Sequence, residues 1–125
     1  MSAFSDAELG YLTGEGRLGR LATIDEHGQP HVVPVGWSYN PDLDTIDIGG
    51  RDFAATRKFR NVRATGKAAI VIDDVLPPWR PRAVQIRGTA EALDDTTPAG
   101  GKLAAPIIRI SPAKVVSWGL EPPPN

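Results

Sequence analysis

Apolar residues alternate with polar or small ones along much of the chain, and this period of two predicts β-strands. Six segments have this character and are bounded by turn residues: 18–24, 30–39, 45–48, 68–72, 83–93 and 107–118. The residues DEHGQ between the first two segments form a glycine-containing hairpin loop. With 13 glycines and 12 prolines in 125 residues, the sequence predicts a mainly β domain of short strands and turns.

Two short helices are also predicted. Ser5 and Glu8 have the spacing of a capping box, and Leu9 and Leu12 follow on one face of the first helix, before two glycines that would end it. The second helix follows the third strand, with Asp52 as its predicted N-cap. Ala55, Phe59 and Val62 have the i, i+4, i+7 spacing of an apolar helix face. Gly66 lies where a glycine would end the helix.

Six strands around two short helices indicate a small antiparallel barrel. We expect a single domain over residues 1–125, with 1–4 and 121–125 flexible. A chain of this length can bury about two thirds of its unfolded surface, which is enough for one core.

Pro34 interrupts the second predicted strand. Proline donates no hydrogen bond to a sheet, so its position predicts an edge strand or a bulge. With Gly36 two residues later, the same face has a gap without bulky side chains. A flat ring could lie against this backbone, and an ordinary edge strand explains the pattern equally well.

Positive charge is concentrated between positions 51 and 67, although the whole chain has a formal net charge of −1. The stretch follows the glycine pair Gly49 and Gly50 and enters a predicted helix N-terminus, where backbone N–H groups are unpaired. The pattern fits either a phosphate-bearing ligand or a solvated basic helix face, and the residues alone leave both open. Against one acid, Asp52, the stretch has six basic residues: Arg51, Arg57, Lys58, Arg60, Arg63 and Lys67.

Composition excludes several classes of function. The chain has no cysteine, which excludes disulfides, thiolate chemistry and cysteine-ligated metals. A pI near 6.1 argues against general nucleic-acid binding. No apolar run approaches the length of a membrane span and the N-terminus lacks a signal-peptide core, so we expect a cytoplasmic protein without a membrane partner.

The sequence has no cluster of catalytic or metal-ligating residues. His27 falls in the predicted hairpin loop, where we expect it to be solvated, and His31 begins a strand and can point to either face. Asp73 and Asp74 end a predicted strand and are predicted to be turn residues rather than an acid–base pair. Metal-ligand spacings, a nucleophile elbow and a phosphate loop are all absent from the sequence. If the protein is an enzyme, a bound cofactor therefore carries the chemistry.

Four blocks of sequence together resemble the split β-barrel flavin/deazaflavin oxidoreductases, a superfamily that includes the pyridoxamine 5'-phosphate oxidase-like proteins. The blocks are RLGRLATIDEHGQPHVVPVGWSYNPDLDTIDIGG, ATRKFRNV, VIDDVLPPWRPRAVQIRGTAEAL and IIRISPAKVVSWGL. They occur in the family's order from about residue 9 to residue 120, and the nearest likeness is to a small actinobacterial branch of F420-dependent enzymes. The resemblance implies an FMN-binding split barrel with Greek-key topology. It also implies a homodimer with cofactor sites at the interface, which suits the exposed-looking Trp79, Trp118, Ile107 and Ile108.

The resemblance further implies which residues bind the cofactor. The backbone of the strand PHVVPV typically lines the tricyclic ring, and the basic side chains of TRKFRN typically meet the phosphate, Lys58 foremost. Gln85 or Arg87 can reach the site, and Trp79 and Trp118 can come from the partner subunit. No catalytic side chain and no metal ligand are implied. The implied cofactor-binding residues are Val33, Pro34, Val35, Ile48, Gly49, Gly50, Arg51, Thr56, Arg57, Lys58, Asn61, Trp79, Gln85 and Arg87.

The expected function is that of an oxidoreductase dependent on coenzyme F420, which transfers hydride between C5 of the deazaflavin and a small organic substrate. Two alternatives stay open. One is the same fold with FMN, acting as an oxidase or reductase; the other is a non-catalytic flavin- or deazaflavin-binding or carrier protein. Neighbouring positions on a helix diverge, so the predicted helix spreads its positive charge, which suits the long anionic tail of F420 better than one compact phosphate.

Overall fold

The computed structural model describes residues 1–97 and 104–120. Among these residues, neither helix is both long and apolar enough to cross a membrane. A short 3-10 turn at Phe53–Ala55 precedes the second helix. The elements in chain order are α1 (Asp6–Leu12), β1 (Gly19–Ile24), β2 (Pro30–Val35), β3 (Trp37–Asn40), β4 (Thr45–Ile48), α2 (Arg57–Thr65), β5 (Lys67–Leu76), β6 (Arg80–Thr96) and β7 (Ala105–Trp118).

Seven strands form one antiparallel sheet in the order β2-β1-β5-β6-β7-β4-β3. The prediction of six strands is wrong because the segment 30–39 divides at Gly36: β2 pairs with β1, whereas β3 pairs with β4. β2 and β3 are the two edge strands of the sheet, yet only Gly36 separates them in the chain. The sheet therefore curls so that its two edges approach each other at Gly36. Within the described residues no ladder joins these edges, so the predicted antiparallel split barrel is corrected to an open, curled sheet of seven strands.

Pro34 lies on an edge strand, as its residue type predicted. It pairs with Arg20 of β1, and β2 has no strand on its other side among the residues described. The missing N–H of proline therefore removes no bond from the interior of the sheet.

The core lies inside the curl of the sheet. Leu21, Ile70 and Ile86 contribute to it from three neighbouring strands, and Phe59 and Val62 of α2 pack into it. Burial alternates along β1 and much of β5, as the period of two predicted. Because α2 is anchored by these two apolar side chains, the residues at its N-terminus are held next to β1.

The predicted interface cluster is corrected in part. Ile107 and Ile108 are completely buried rather than exposed. Consecutive strand residues point to opposite faces, so both faces of β7 are covered at this point. Trp79 and Trp118 are exposed, by 75% and 47%.

The helix boundaries were predicted unequally well. The capping box of α1 is confirmed, since Ser5 N–H donates to Glu8 and Glu8 N–H to Ser5 Oγ. Asp52 does not cap α2: it has a left-handed backbone with φ of 48° and makes no capping hydrogen bond with its side chain. Thr56 caps α2 instead, because its Oγ1 accepts the N–H of Phe59 at 3.3 Å.

The N-terminal residues, expected to be flexible, contact the turn between β3 and β4. Ser2 Oγ and the Ala3 N–H donate to the carboxylate of Asp44 at 2.6 and 2.7 Å. Phe4 is buried, with its ring edge-on to Tyr39 at a centroid distance of 5.7 Å. The predicted flexible C-terminus, 121–125, lies outside the described residues.

Asp73 and Asp74 lie inside β5 and not in a turn, which corrects the prediction. Asp74 accepts two hydrogen bonds from Arg82 of the paired strand β6, at 2.8 and 2.6 Å, and one from Arg17 at 2.9 Å. The bonds from Arg82 and Arg17 hold the pKa of Asp74 well below its usual range. This pairing across the hairpin allows β5 to continue through two acidic residues.

Candidate functional site

A small cleft lies where the β2 edge of the sheet meets the start of α2. Its walls are Thr23 of β1, His31 and Val33 of β2, and Arg57 and Lys58 of α2, and its volume is about 140 Å³. The two β2 residues are two positions apart and therefore point to the same face of the strand. We call this site the basic cleft.

The start of α2 brings unpaired donors to the basic cleft. The backbone N–H groups of Arg57 and Lys58 precede the first intrahelical hydrogen bond and have no partner within the helix. The Arg57 side chain is exposed and forms no ion pair with any described residue. The Nζ of Lys58 lies 5.4 Å from the ring centroid of Phe53. These donors are the kind that bind phosphate oxygens.

The other cations of α2 differ in how they are paired. Arg63 Nη2 lies 2.6 Å from Asp94 Oδ1, and its guanidinium stacks on Phe59. Arg60 is exposed and, within the part of the chain that is described, has no ion pair; the same holds for Arg51 outside the helix. The uncompensated positive charge of this region is therefore on the side of α2 that borders the basic cleft and on the loop before it.

His31 lines the basic cleft and pairs with Asp25 in the hairpin loop between β1 and β2. Nε2 of His31 lies 3.1 Å from Asp25 Oδ2, while Asp25 Oδ1 accepts the N–H groups of His27 and Gln29, each at 2.9 Å. The hydrogen bond from His31, followed by that from Gln29, lowers the pKa of Asp25 to about 2. Because an ionised carboxylate only accepts, Nε2 of His31 carries a proton. The sequence did indicate that His31 shares a face of the strand with Val33, because the two residues are two positions apart.

Asn61, an expected cofactor ligand, lies beneath the basic cleft. Its Nδ2 donates to Thr23 Oγ1 at 3.1 Å, and both residues are buried. The amide thus joins α2 to β1. A second cleft of about 230 Å³ adjoins this place, lined by Asp25, Glu26, Arg57, Arg60, Asn61 and Ala64.

A third cleft opens where the chain passes from β2 to β3, and we call it the glycine cleft. Its volume is about 330 Å³. A Cβ at Gly36 would meet no atom within 4 Å, and at Gly49 the nearest atom would be Ile107 Cγ2 at 3.8 Å. Neither glycine has a positive φ, so the backbone does not require glycine there. The absent side chains leave bare backbone on this wall of the cleft. The lining consists of Gly36, Trp37, Ser38, Asp47, Gly49, Gly50 and residues 105–107.

Comparison with known proteins decides the family. The model of the pyridoxamine 5'-phosphate oxidase family matches residues 6–118. The chain belongs to this family. The resemblance inferred from the sequence is confirmed, and the family is one of oxidoreductases that use flavin-type cofactors.

One relative is named for its reaction. The chain is 45% identical over 125 residues to the 5a,11a-dehydrotetracycline/5a,11a-dehydrooxytetracycline reductase of Streptomyces rimosus. The alignment covers 94% of this chain and 84% of the relative.

Solved structures share the fold of this family member. The conserved hypothetical protein Rv2991 of Mycobacterium tuberculosis has a TM-score of 0.72 at 21% identity, covering 94% of this chain and 86% of that one. An FAD-binding protein of Mesorhizobium loti has a TM-score of 0.63 at 23% identity, covering 91% of each chain. An F420 reductase has a TM-score of 0.64 at 19% identity, covering 86% and 94%. At these identities the likeness concerns the fold alone.

The structure of this pyridoxamine 5'-phosphate oxidase family member divides the expected ligands between two clefts. Val33, Arg57 and Lys58 meet in the basic cleft, and Gly49 and Gly50 in the glycine cleft. Thr56 lies beside the first group as the helix cap. The side chains of Val35 and Ile48 point into the core instead, with exposures of 6% and 0%.

Four expected ligands lie away from both clefts, and the first is Pro34, which alternates with Val33 and Val35 along β2 and so faces the outside of the sheet. Gln85 and Arg87 alternate with buried core residues of β6 and so face the outside of the sheet. Trp79 is exposed at the turn between β5 and β6. On this outer face lies a groove of about 490 Å³, here called the apolar groove, whose lining includes Ala22, Ile24, Pro30, Ala69 and Arg87.

A buried ion pair beside the glycine cleft was not predicted. Asp47 accepts two hydrogen bonds from Arg109 of β7, both at 3.0 Å, and others from Asn40 and Thr45. Burial favours a raised pKa for Asp47, but the bonds from Arg109 and Asn40 outweigh it and lower the pKa. The carboxylate is therefore ionised, and it joins β4 to β7 rather than supplying a proton. Its partner is 62 positions away, a separation for which the sequence gives no signal.

Proposed function

We propose that the chain is an F420-dependent oxidoreductase that transfers hydride between the cofactor and a small organic substrate. The observation that carries the proposal is the basic cleft, where Arg57 and Lys58 lie beside a sheet edge with no carboxylate pairing them among the described residues. Family membership supports a flavin-type cofactor, and one solved structure of the same fold is named an F420 reductase.

The donors of the basic cleft fit the phosphate of such a cofactor. Arg57 and Lys58 offer charged side chains and unpaired backbone N–H groups, and Thr23 adds a hydroxyl at the cleft wall. Phosphate is the ligand group that best matches cations grouped around a helix N-terminus.

The glycine cleft fits the ring. Gly36, Gly49 and Gly50 present backbone without side chains, so a planar group can lie in van der Waals contact with the wall. Residues 31 and 36 are five positions apart along an extended segment, which spans roughly 17 Å. This is a suitable length of protein surface for a cofactor with a ring at one end and a phosphate at the other.

The residues of the chain bind and orient rather than react. When bound, F420 supplies a hydride at C5 and reacts slowly with oxygen. The glycine wall would hold one face of the ring, and Arg57 and Lys58 would hold the phosphate end. No side chain of either cleft is assigned a covalent or proton-transfer role.

The distribution of charge favours F420 over FMN. Arg60 lines the adjoining cleft together with Arg57, and Arg51 lies unpaired before the helix. Charge spread in this way matches a phosphodiester followed by carboxylates, whereas a single terminal phosphate would leave Arg60 and Arg51 unused. FMN is the second candidate, since family membership supports a flavin-type cofactor without distinguishing FMN from F420.

The substrate we propose is a polycyclic compound with a reducible carbon–carbon double bond. The support is the relative of 45% identity, which is named as a reductase of 5a,11a-dehydrotetracyclines. The similarity extends over 94% of this chain.

We also propose a homodimer. The outer face of β1 and β2 exposes Ile24 and Val32, and Leu18 just before β1 is 63% exposed. Together with the apolar groove they form an apolar surface that a second copy can cover. Trp79, at the turn between β5 and β6, and Trp118, at the end of β7, are exposed as well, and we propose that the partner's copies reach the cofactor.

The oxidoreductase proposal is tested by turnover. Purified protein is mixed with reduced F420 and a 5a,11a-dehydrotetracycline, and oxidation of the cofactor is followed by its absorbance. We expect oxidation that requires both protein and substrate. If reduced FMN supports the reaction and reduced F420 does not, the FMN alternative replaces the proposal. Tight binding of F420 without oxidation by any of a panel of related compounds would indicate a carrier.

A further inference from the structure

His31 is the residue of the basic cleft whose charge can change near neutral pH, because the two cations there stay charged and the other walls do not ionise. Its ring is held by Asp25, and it lines the same cleft as Arg57 and Lys58. The chain has one other histidine, His27, whose side chain is 82% exposed in the hairpin loop.

Opposite fixed charges act on the His31 ring. A carboxylate of the hairpin loop contacts the ring, and two cations of α2 line the same cleft. An anion bound in the cleft would neutralise the cations and leave the carboxylate unopposed. β1 and β2 contribute uncharged Thr23 and Val33. Of the charged groups among the described residues, Asp25 contacts the ring and Arg57 and Lys58 line the same cleft, while Glu26 and Arg60 line the adjoining cleft.

The hydrogen bond to Asp25 determines what His31 can offer to an anion. In the neutral ring Nε2 donates to Asp25 and Nδ1 keeps a lone pair, which repels an anion. In the imidazolium form Nδ1 also carries a proton. It can then donate to an anion while Nε2 keeps its bond to Asp25.

We propose that His31 is a third ligand of the anion held by Arg57 and Lys58, and that it binds as imidazolium, so that anion binding takes up one proton. This inference rests on the proposed cofactor cleft and adds a proton-linked contact to it. By linkage, anion affinity is highest below the pH at which His31 titrates and falls as pH rises through that range. A shift of about one pH unit in the His31 midpoint corresponds to about tenfold in affinity.

The test is an NMR titration of both histidine rings in the full chain, from about pH 5 to about pH 9. Sodium sulfate is compared with sodium chloride at equal ionic strength, and sulfate itself does not titrate in this range. We expect the His31 midpoint to rise by about one pH unit in sulfate. His27 serves as the internal control, and its midpoint should be the same in both salts.

Two results would overturn the inference. One is a His31 midpoint that stays unchanged while sulfate shifts the α2 amide signals. Sulfate would then bind in the basic cleft without His31 as a ligand. The other is an absence of any α2 response to sulfate. Binding of F420, measured separately, then decides whether the proposed function fails as well.

A variant provides an independent check. In His31→Gln, we expect sulfate to bind about tenfold more weakly than in the wild type at about pH 5.5, and with little dependence on pH. His27→Gln should match the wild type. If sulfate binding to His31→Gln keeps the wild-type pH dependence, another group takes up the proton and the inference is wrong.

Discussion

Pairing of charges distinguishes otherwise similar residues. Arg57 and Arg63 lie on the same short helix, yet Arg63 is paired with Asp94 and stacked on Phe59, whereas Arg57 has no ion pair among the described residues. A side chain whose charge is already paired has little to gain from a ligand. An unpaired one at a cleft can form a charge-assisted bond on binding.

We therefore expect Arg57→Ala to weaken cofactor binding while leaving the melting temperature nearly unchanged. One charge-assisted contact is worth roughly 1.5–3 kcal/mol, or about tenfold to a hundredfold in affinity. Arg63→Ala is the matched control and should bind as the wild type does. Fluorescence titration of the two variants measures the difference, and equal affinities would contradict the placement of the phosphate in the basic cleft.

Asp74, in contrast, has a structural role, since its bonds with Arg82 and Tyr11 hold the β5–β6 hairpin and α1 together. Its folded pKa is depressed, so its contribution to stability is present above the unfolded pKa of about 3.9 and is lost as the pH falls below it. Asp74→Asn should lose about 1–2 kcal/mol at neutral pH and less in acid. Asp94→Asn, with an exposed partner, should lose less than about 1 kcal/mol. Urea unfolding at several pH values measures both; a constant loss for Asp74→Asn down to about pH 2 would refute the assignment.

At the level of strands and helices, two glycines have different reasons to be glycine. Gly88 lies at a bulge between β6 and β7, and a Cβ there would overlap the carbonyl oxygen of Ser111. Gly36 joins β2 to β3, and a Cβ there would meet open space. Folding requires the first glycine, whereas the second leaves room for a ligand.

Gly88→Ala should lower the free energy of unfolding by roughly 1–3 kcal/mol, because the strands must shift apart. Gly36→Ala should leave it within about 1 kcal/mol of the wild type. Gly36→Ala should nevertheless bind the cofactor more weakly, because the methyl group enters the glycine cleft. Chemical denaturation and a cofactor titration of both variants test this contrast, which fails if Gly36→Ala binds the cofactor normally.

Local signals in the sequence predicted most elements, and non-local pairings account for what was missed. The period of two located the strands, and the capping box located α1. The break at Gly36 escaped prediction because it depends on which distant strand each half pairs with. For the same reason the sequence did not decide which face of β2 His31 points to, since that depends on the packing of α2 near β2. The ion pair of Asp47 with Arg109 likewise left no signal in the local sequence.

For the whole molecule, the distribution of surface determines assembly. The apolar groove and the exposed Val32 lie on one face, and the basic cleft lies at its margin on α2 and β2. A dimer that covers this face would bring the partner's surface close to the cleft. We expect light scattering at micromolar concentration to give about twice the chain mass of 13.4 kDa.

Val32→Lys should shift this equilibrium to monomer, because it buries a charge in the apolar contact. Leu43→Lys is the control: Leu43 is also exposed, at 54%, but lies in the turn between β3 and β4. A wild-type chain that is monomeric at micromolar concentration, or a Val32→Lys variant that remains dimeric, would count against this interface.

The most direct test of the central claim is calorimetric titration of the chain with polyglutamylated F420 and with FMN at the same low ionic strength. The account predicts tighter binding of F420, because its phosphodiester and carboxylates can use the spread charge of Arg57, Arg60 and Arg51. It also predicts that F420 binding weakens as salt is added, since exposed charges are screened over about 10 Å at 0.1 M. Tighter binding of FMN under these conditions would contradict the deazaflavin assignment.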